Sequence, residues 1–169
     1  SLLSNTVARG VGMVVPGTGA FIYNDYDADR VSDLALYHAG SGAWYIGSLA
    51  RYQDFLNGLT NHWQWIAGGA QFGGPGWRPV AGDYDGDGYA DAALYNEPAV
   101  LWMIASVYKM QVLCLDVPFG GPGLRPVAGD YDGDARFDGA LYARDNNGYW
   151  YVISAADGRT IVWDESLTG

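Results

Sequence analysis

FGGPGWRPVAGDYDGD, residues 72–87, returns as FGGPGLRPVAGDYDGD at residues 119–134, an offset of 47 with one change, Trp77 against Leu124. Repetition at a fixed period of this size is the sequence sign of a repeat architecture, in which each unit is one supersecondary element stacked on its neighbours. The aspartates that end the stretch occur in three frames: Asp25-Tyr-Asp27-Ala-Asp29-Arg-Val-Ser-Asp33, Asp83-Tyr-Asp85-Gly-Asp87-Gly-Tyr-Ala-Asp91 and Asp130-Tyr-Asp132-Gly-Asp134-Ala-Arg-Phe-Asp138. After each frame comes a short apolar segment ending in tyrosine, at Tyr37, Tyr95 and Tyr142. A strand centred on tryptophan follows, at Trp44, Trp102 and Trp150, and then a fourth apolar run near 62–67, 111–115 and 160–163.

Four short runs rich in Val, Ile, Tyr and Trp, set apart by Gly, Pro and Asp turns, predict a four-stranded antiparallel sheet per repeat. The fold expected is therefore all-β, with three β-propeller-type blades of four antiparallel strands. In the second unit the first strand is expected near 78–82, with the aspartate frame as the turn after it. The domain reading is an N-terminal segment 1–18 with an orphan outer strand near 7–15, a first blade at 19–71, a second at 72–118 and a third at 119–169. The first interval between frames is 58 residues against 47 for the second. The extra residues fall at 49–59, which predicts an extended loop or a short turn of helix projecting from the first blade. No segment has a clear 3.6-residue apolar period, so little other helix is expected.

Four carboxylates at positions 1, 3, 5 and 9 of a nine-residue turn repel one another unless a positive charge sits among them. A hard cation is the natural occupant, and calcium fits best, because it takes six to eight oxygen ligands in a flexible shell that a loop of Asp and Gly can supply. Charge arithmetic agrees. Of 19 acidic residues 12 lie in the three frames, leaving 7 against 9 Lys plus Arg, so the formal charge of −10 is local to the loops. Three divalent ions would bring it to −4. There is no basic stripe of the kind that neutralises phosphates, which argues against a nucleic-acid partner.

At 169 residues and 49% hydrophobic content the chain can bury a core without a disulfide scaffold. Its lone Cys114 lies in an apolar stretch and is expected to be a buried small hydrophobe. No run reaches the roughly 18 apolar residues of a membrane span. The start, Ser1-Leu2-Leu3-Ser4, lacks a charged n-region and an apolar h-region and reads as a mature or excised terminus.

With these motifs in place, the chain resembles the FG-GAP/VCBS repeat family, the calcium-binding blades of integrin α-chain propellers and of many large bacterial surface and secreted proteins. The resemblance covers about residues 19–164. It implies a β-propeller blade with Ca²⁺ in the loop between its first two strands. The implied ligands are Asp83, Asp85, Asp87 and Asp91 with the backbone carbonyl of Tyr89. In the first repeat they are Asp25, Asp27, Asp29 and Asp33 with the Val31 carbonyl, and in the third Asp130, Asp132, Asp134 and Asp138 with the Arg136 carbonyl. Glycine at positions 4 and 6 lets such a loop turn through φ > 0 without steric cost. The second copy has both, Gly86 and Gly88; the third has Gly133 and Ala135; the first has Ala28 and Arg30, the latter placing a cation beside the site. Up to three ions are expected, with affinity falling in the order second, third, first.

Three blades fall short of the four to eight of ordinary propellers. The remaining faces are expected to be covered by the rest of a longer parent protein, by a second copy completing a ring, or by head-to-tail association into a filament. Weak calcium sites fill only where calcium is near millimolar, which points outside the cell or to its surface. The functional expectation is a calcium-stabilised structural or adhesive module of an extracellular assembly, with a glycan or another surface protein as possible ligand. The alternative is a carbohydrate-binding lectin, motivated by seven tryptophans and thirteen tyrosines. An enzyme is not expected: neither His38 nor His62 sits in a nucleophile or metal motif.

Overall fold

The computed structural model describes residues 24–59, 64–143 and 148–166. The orphan strand expected near 7–15, the start of the first blade, His62 and Trp63 all lie outside them. The chain divides into two compact units, Ser1–Pro75 and Gly76–Gly169.

In the first unit, β1 (Leu34–His38), β2 (Ala43–Gly47) and β3 (Trp65–Gln71) form an antiparallel sheet in the order β1-β2-β3. The tight β1–β2 turn holds Gly42 at φ +73°, and a Cβ there would lie 2.7 Å from the Gly73 carbonyl oxygen, so only glycine closes it. Tyr37 pairs with Trp44 across the strands, and both are buried. The Trp44 indole N–H donates to the Phe72 carbonyl at 3.1 Å, and the Tyr37 hydroxyl accepts from the Gly74 amide and donates to its carbonyl. The phenylalanine-glycine turn thus caps the sheet that precedes it, and the first compact unit ends after it, at Pro75.

Between β2 and β3 the inserted segment forms α1 (Leu49–Leu56). Ser48 starts it as N-cap, its Oγ accepting from the Arg51 amide at 3.4 Å. Gly58, at φ +71°, follows its end. Of the two forms expected for the insertion, the helical one is adopted.

The second unit holds two four-stranded antiparallel sheets. One runs β4 (Trp77–Pro79), β5 (Asp91–Asn96), β6 (Leu101–Ser106) and β7 (Gln111–Pro118); the other runs β8 (Leu124–Pro126), β9 (Gly139–Ala143), β10 (Tyr149–Ile153) and β11 (Thr160–Ser166). Spatial order follows chain order in each, as a meander of short turns dictates. β5 is buried along almost its whole length, which suits a small, apolar Asp91-Ala-Ala-Leu-Tyr95 run packed on both faces. The core is Val80, Tyr95, Trp102, Phe119 and Leu141. Here too the turn closes the preceding sheet: the Trp102 indole donates to the Phe119 carbonyl at 2.9 Å and the Tyr95 hydroxyl to that of Gly121 at 3.4 Å.

The described residues are thus all-β, as expected, with three antiparallel sheets; the second and third have the four strands expected of each repeat, and the first has three among the described residues. One expectation is corrected. Cys114, on β7, is half-buried rather than enclosed, because β7 is the outer strand of its sheet and most of its residues are exposed. No helix among the described residues is long and apolar enough to cross a membrane.

Candidate metal centre

Each aspartate frame folds into the same loop, and the sequence dictates why. The first aspartate turns its carboxylate back onto the amides ahead of it. Asp83 Oδ1 accepts from Gly86 at 2.7 Å and Asp87 at 3.2 Å, and its Oδ2 accepts from Gly88 at 2.8 Å. Asp130 accepts from Gly133 and Ala135, and Asp25 from Asp29 and Arg30, in the matching places. The fifth-position carboxylates accept from the amides of Val31, Tyr89 and Arg136. The ninth closes the ring: Oδ2 of Asp33, Asp91 and Asp138 accepts from the amide of Tyr26, Tyr84 and Tyr131. These are Asx-type turns in series, which short acidic side chains favour.

Positions 4 and 6 take φ > 0 in all three loops. Gly86 and Gly88 stand at +74° and +87°, Gly133 and Ala135 at +81° and +71°, Ala28 and Arg30 at +56° and +70°. The second loop is unstrained there, the third carries one strained residue and the first two.

In each loop three carboxylate oxygens gather within 4.8 Å of one another, from Asp83, Asp85 and Asp91 in the second, Asp130, Asp132 and Asp138 in the third, and Asp25, Asp27 and Asp29 in the first. Each of the three groups could hold a metal ion. In the second and third the frame gathers positions 1, 3 and 9, with Asp87 and Asp134 outside the trio; in the first it gathers 1, 3 and 5, with Asp33 outside it. Asp33, Asp91 and Asp138 are all buried. Asp33 and Asp138 spend their second oxygen on the amides of Leu49 and Ala155. Asp91 Oδ1 is buried with no hydrogen-bond partner among the described residues. An orphaned buried carboxylate oxygen costs free energy unless something supplies the missing contact.

Burial raises the Asp91 carboxyl to about 7, against the Tyr84 amide bond and with repulsion from Asp85, Asp83 and Asp87 adding to it. Asp33 is raised to about 6, again chiefly by burial. Asp25, Asp83 and Asp138 are also raised by loss of water. The loops as folded hold more negative charge than they can solvate.

Basic side chains answer part of this charge. Lys109 Nζ lies 2.6 Å from Asp85 Oδ2 and 3.0 Å from Asp87 Oδ2. The Arg159 guanidinium lies 2.6 Å from Asp132 Oδ2, and Arg51 Nε 3.6 Å from Asp27 Oδ2. The cation expected beside the first loop, Arg30, makes no ion pair among the described residues; Arg51, from α1, takes that place. Sequence reasoning passed over all three pairings, although Arg51 and Lys109 each stand three residues after the serine that ends the tryptophan strand.

His38, which was not expected to act in catalysis, is exposed with its Nδ1 2.8 Å from Ser41 Oγ. No family model, characterised protein or solved structure matches the chain. The molecule is therefore defined by its own features: an all-β repeat protein whose three acidic loops could each hold a metal ion.

Proposed function

We propose that the protein is a calcium-stabilised structural or adhesive repeat module of an extracellular or cell-surface assembly, its sheets being blades of the β-propeller type. The observation that carries the reading is the orphaned, buried Oδ1 of Asp91 beside Asp83 and Asp85. Two oxygens bound to one calcium at about 2.3–2.6 Å lie no more than roughly 5 Å apart, which the trio satisfies. The donors are hard carboxylate oxygens with no sulfur or imidazole among them, a set suited to calcium rather than zinc or copper. The FG-GAP/VCBS-like motifs support the same ion and the same blade. Calcium modules outside the cell bind at about 10⁻⁴ to 10⁻³ M, so millimolar calcium contributes about 0.4–1.4 kcal/mol per site.

As partners we propose further repeats, from a parent chain or from other copies assembling into a ring or filament. The half-burial of Tyr142 and Trp150 supports this, because their equivalents Tyr37, Trp44, Tyr95 and Trp102 are buried under a following turn. Among the described residues the lectin reading keeps Trp65 and Trp163 as its strong candidates, both 58% exposed, since Trp44 and Trp102 are inside.

The test is thermal unfolding of chelator-stripped protein with and without millimolar calcium. Calcium is expected to raise the melting temperature, and Asp85→Ala or Asp91→Ala to remove much of the rise. Superposable curves would refute the calcium role.

A further inference from the structure

We propose that each acidic loop carries a tethered counter-ion, a basic side chain of its own repeat that neutralises the third-position aspartate until a divalent ion binds and displaces it, and that Lys109 thereby sets the ion affinity of the second loop. The inference rests on the calcium reading and concerns what competes with calcium for the same oxygens.

The pairing is built into the repeat. Arg51 and Asp27 are 24 residues apart, as are Lys109 and Asp85; Arg159 and Asp132 are 27 apart. All three cations meet the aspartate at the third position of the frame, and all three at its Oδ2. All three leave the backbone just beyond the tryptophan strand, at the edge of the sheet where the loop lies. In the first two repeats the serine ending that strand holds the basic residue's own amide, Ser48 Oγ that of Arg51 and Ser106 Oγ that of Lys109. Ser48, Ser106 and Ser154 are all buried, so the base of the tether is fixed.

The second loop has the tightest arrangement. Lys109 is the chain's single lysine, and it bridges two carboxylates of one frame. Tyr108, beside it, stacks on Tyr89 of the frame with ring centroids 3.9 Å apart and planes 5° from parallel, clamping the turn that carries the ammonium against the loop. Yet the ammonium reaches only one side of the cluster. Asp91 Oδ1 stays without a hydrogen-bond partner among the described residues while Lys109 is in place, an independent sign that the loop is shaped for a ligand other than the lysine.

The contact is suited to release. The Lys109 side chain is 38% exposed, its stem is flexible, and the ammonium regains full hydration on leaving. Such pairs are weak in water. A divalent ion bound by Asp83, Asp85 and Asp91 would face the ammonium's charge at close range, so the two compete for Asp85. Without calcium the lysine limits repulsion inside the frame; with calcium it is a cost.

The experiment uses the lysine's uniqueness. In protein labelled with ¹³C at the lysine ε-carbon, one side-chain signal is expected, and calcium titration is expected to shift it and sharpen it as the ammonium becomes mobile. By calorimetric titration Lys109→Met is expected to bind the ion at the second loop about three- to ten-fold more tightly than wild type. Lys109→Arg, which keeps the charge, is expected to stay near wild type. A signal indifferent to calcium that demonstrably binds, or a Lys109→Met affinity equal to or weaker than wild type, overturns the displacement and leaves the calcium site standing. Absence of any binding to wild type overturns both.

Discussion

Phe137 packs edge-on against Tyr84, ring centroids 6.1 Å apart and planes at 73°, while its amide donates to the Asp83 carbonyl at 2.6 Å. Phe137 is the eighth residue of the third frame; Asp83 and Tyr84 open the second. The two loops of the second compact unit are therefore one packed structure, and whatever orders one of them bears on the other.

The contact is possible because residue 82 is glycine. A Cβ built there would clash with the edge of the Phe137 ring at Cδ2. Gly82→Ala is expected to cost about 1–3 kcal/mol, the usual penalty of overpacking. Chemical denaturation would measure it, and the double variant with Phe137→Ala is expected to recover part of the loss.

Asp91→Asn separates the aspartate's two effects. It removes a buried carboxylate that repels Asp85, Asp83 and Asp87, and it removes a metal ligand. The calcium-free variant is expected to melt at or above the temperature of calcium-free wild type at pH 8, and to gain much less from added calcium. Paired melting curves in both buffers decide it.

The pH dependence follows from the raised carboxyls. Asp91 at about 7 and Asp33 at about 6 bind protons more tightly folded than unfolded. Their contribution to stability is full below the ordinary carboxylate range and is lost as pH rises through 6 to 7. Calcium-free protein is expected to be more stable at pH 5 than at pH 8, with calcium reversing the slope because it binds the ionised form. Melting temperatures across that range with and without calcium test both signs.

Ala135, at φ +71°, sits where the second loop has Gly88. Ala135→Gly is expected to stabilise the third loop by about 1 kcal/mol and to tighten its ion binding, while Gly88→Ala does the reverse in the second. Calorimetric titration of both variants would show the affinities of the two loops converging.

Much of this was legible in the sequence because the repeat reports each element several times. The segments ending at Tyr37, Tyr95 and Tyr142 and the strands around Trp44, Trp102 and Trp150 pair as their spacing predicts. The positive φ at positions 4 and 6 was readable from Gly86 and Gly88 and extends to Ala28 and Arg30, because loop closure demands it whatever the residue. The choice of which carboxylates converge was not legible. Four aspartates at fixed spacing do not reveal that Asp87 turns toward Lys109 and its own Tyr89 amide while Asp91 turns inward. The cation of the first loop was misread for a related reason. Arg30 is adjacent in sequence, but it is exposed and makes no ion pair among the described residues, and the distant Arg51 arrives on a helix.

Trp44 and Trp102 each spend the indole proton on a carbonyl of the Phe-Gly turn that begins the following repeat. Excising a single repeat at its apparent boundary, before Phe72 or Phe119, would strip that acceptor from the sheet left behind and uncover its largest ring. A stable fragment has to borrow the opening turn of its successor, so the cutting point for protein engineering lies several residues downstream of where the alignment of repeats would put it.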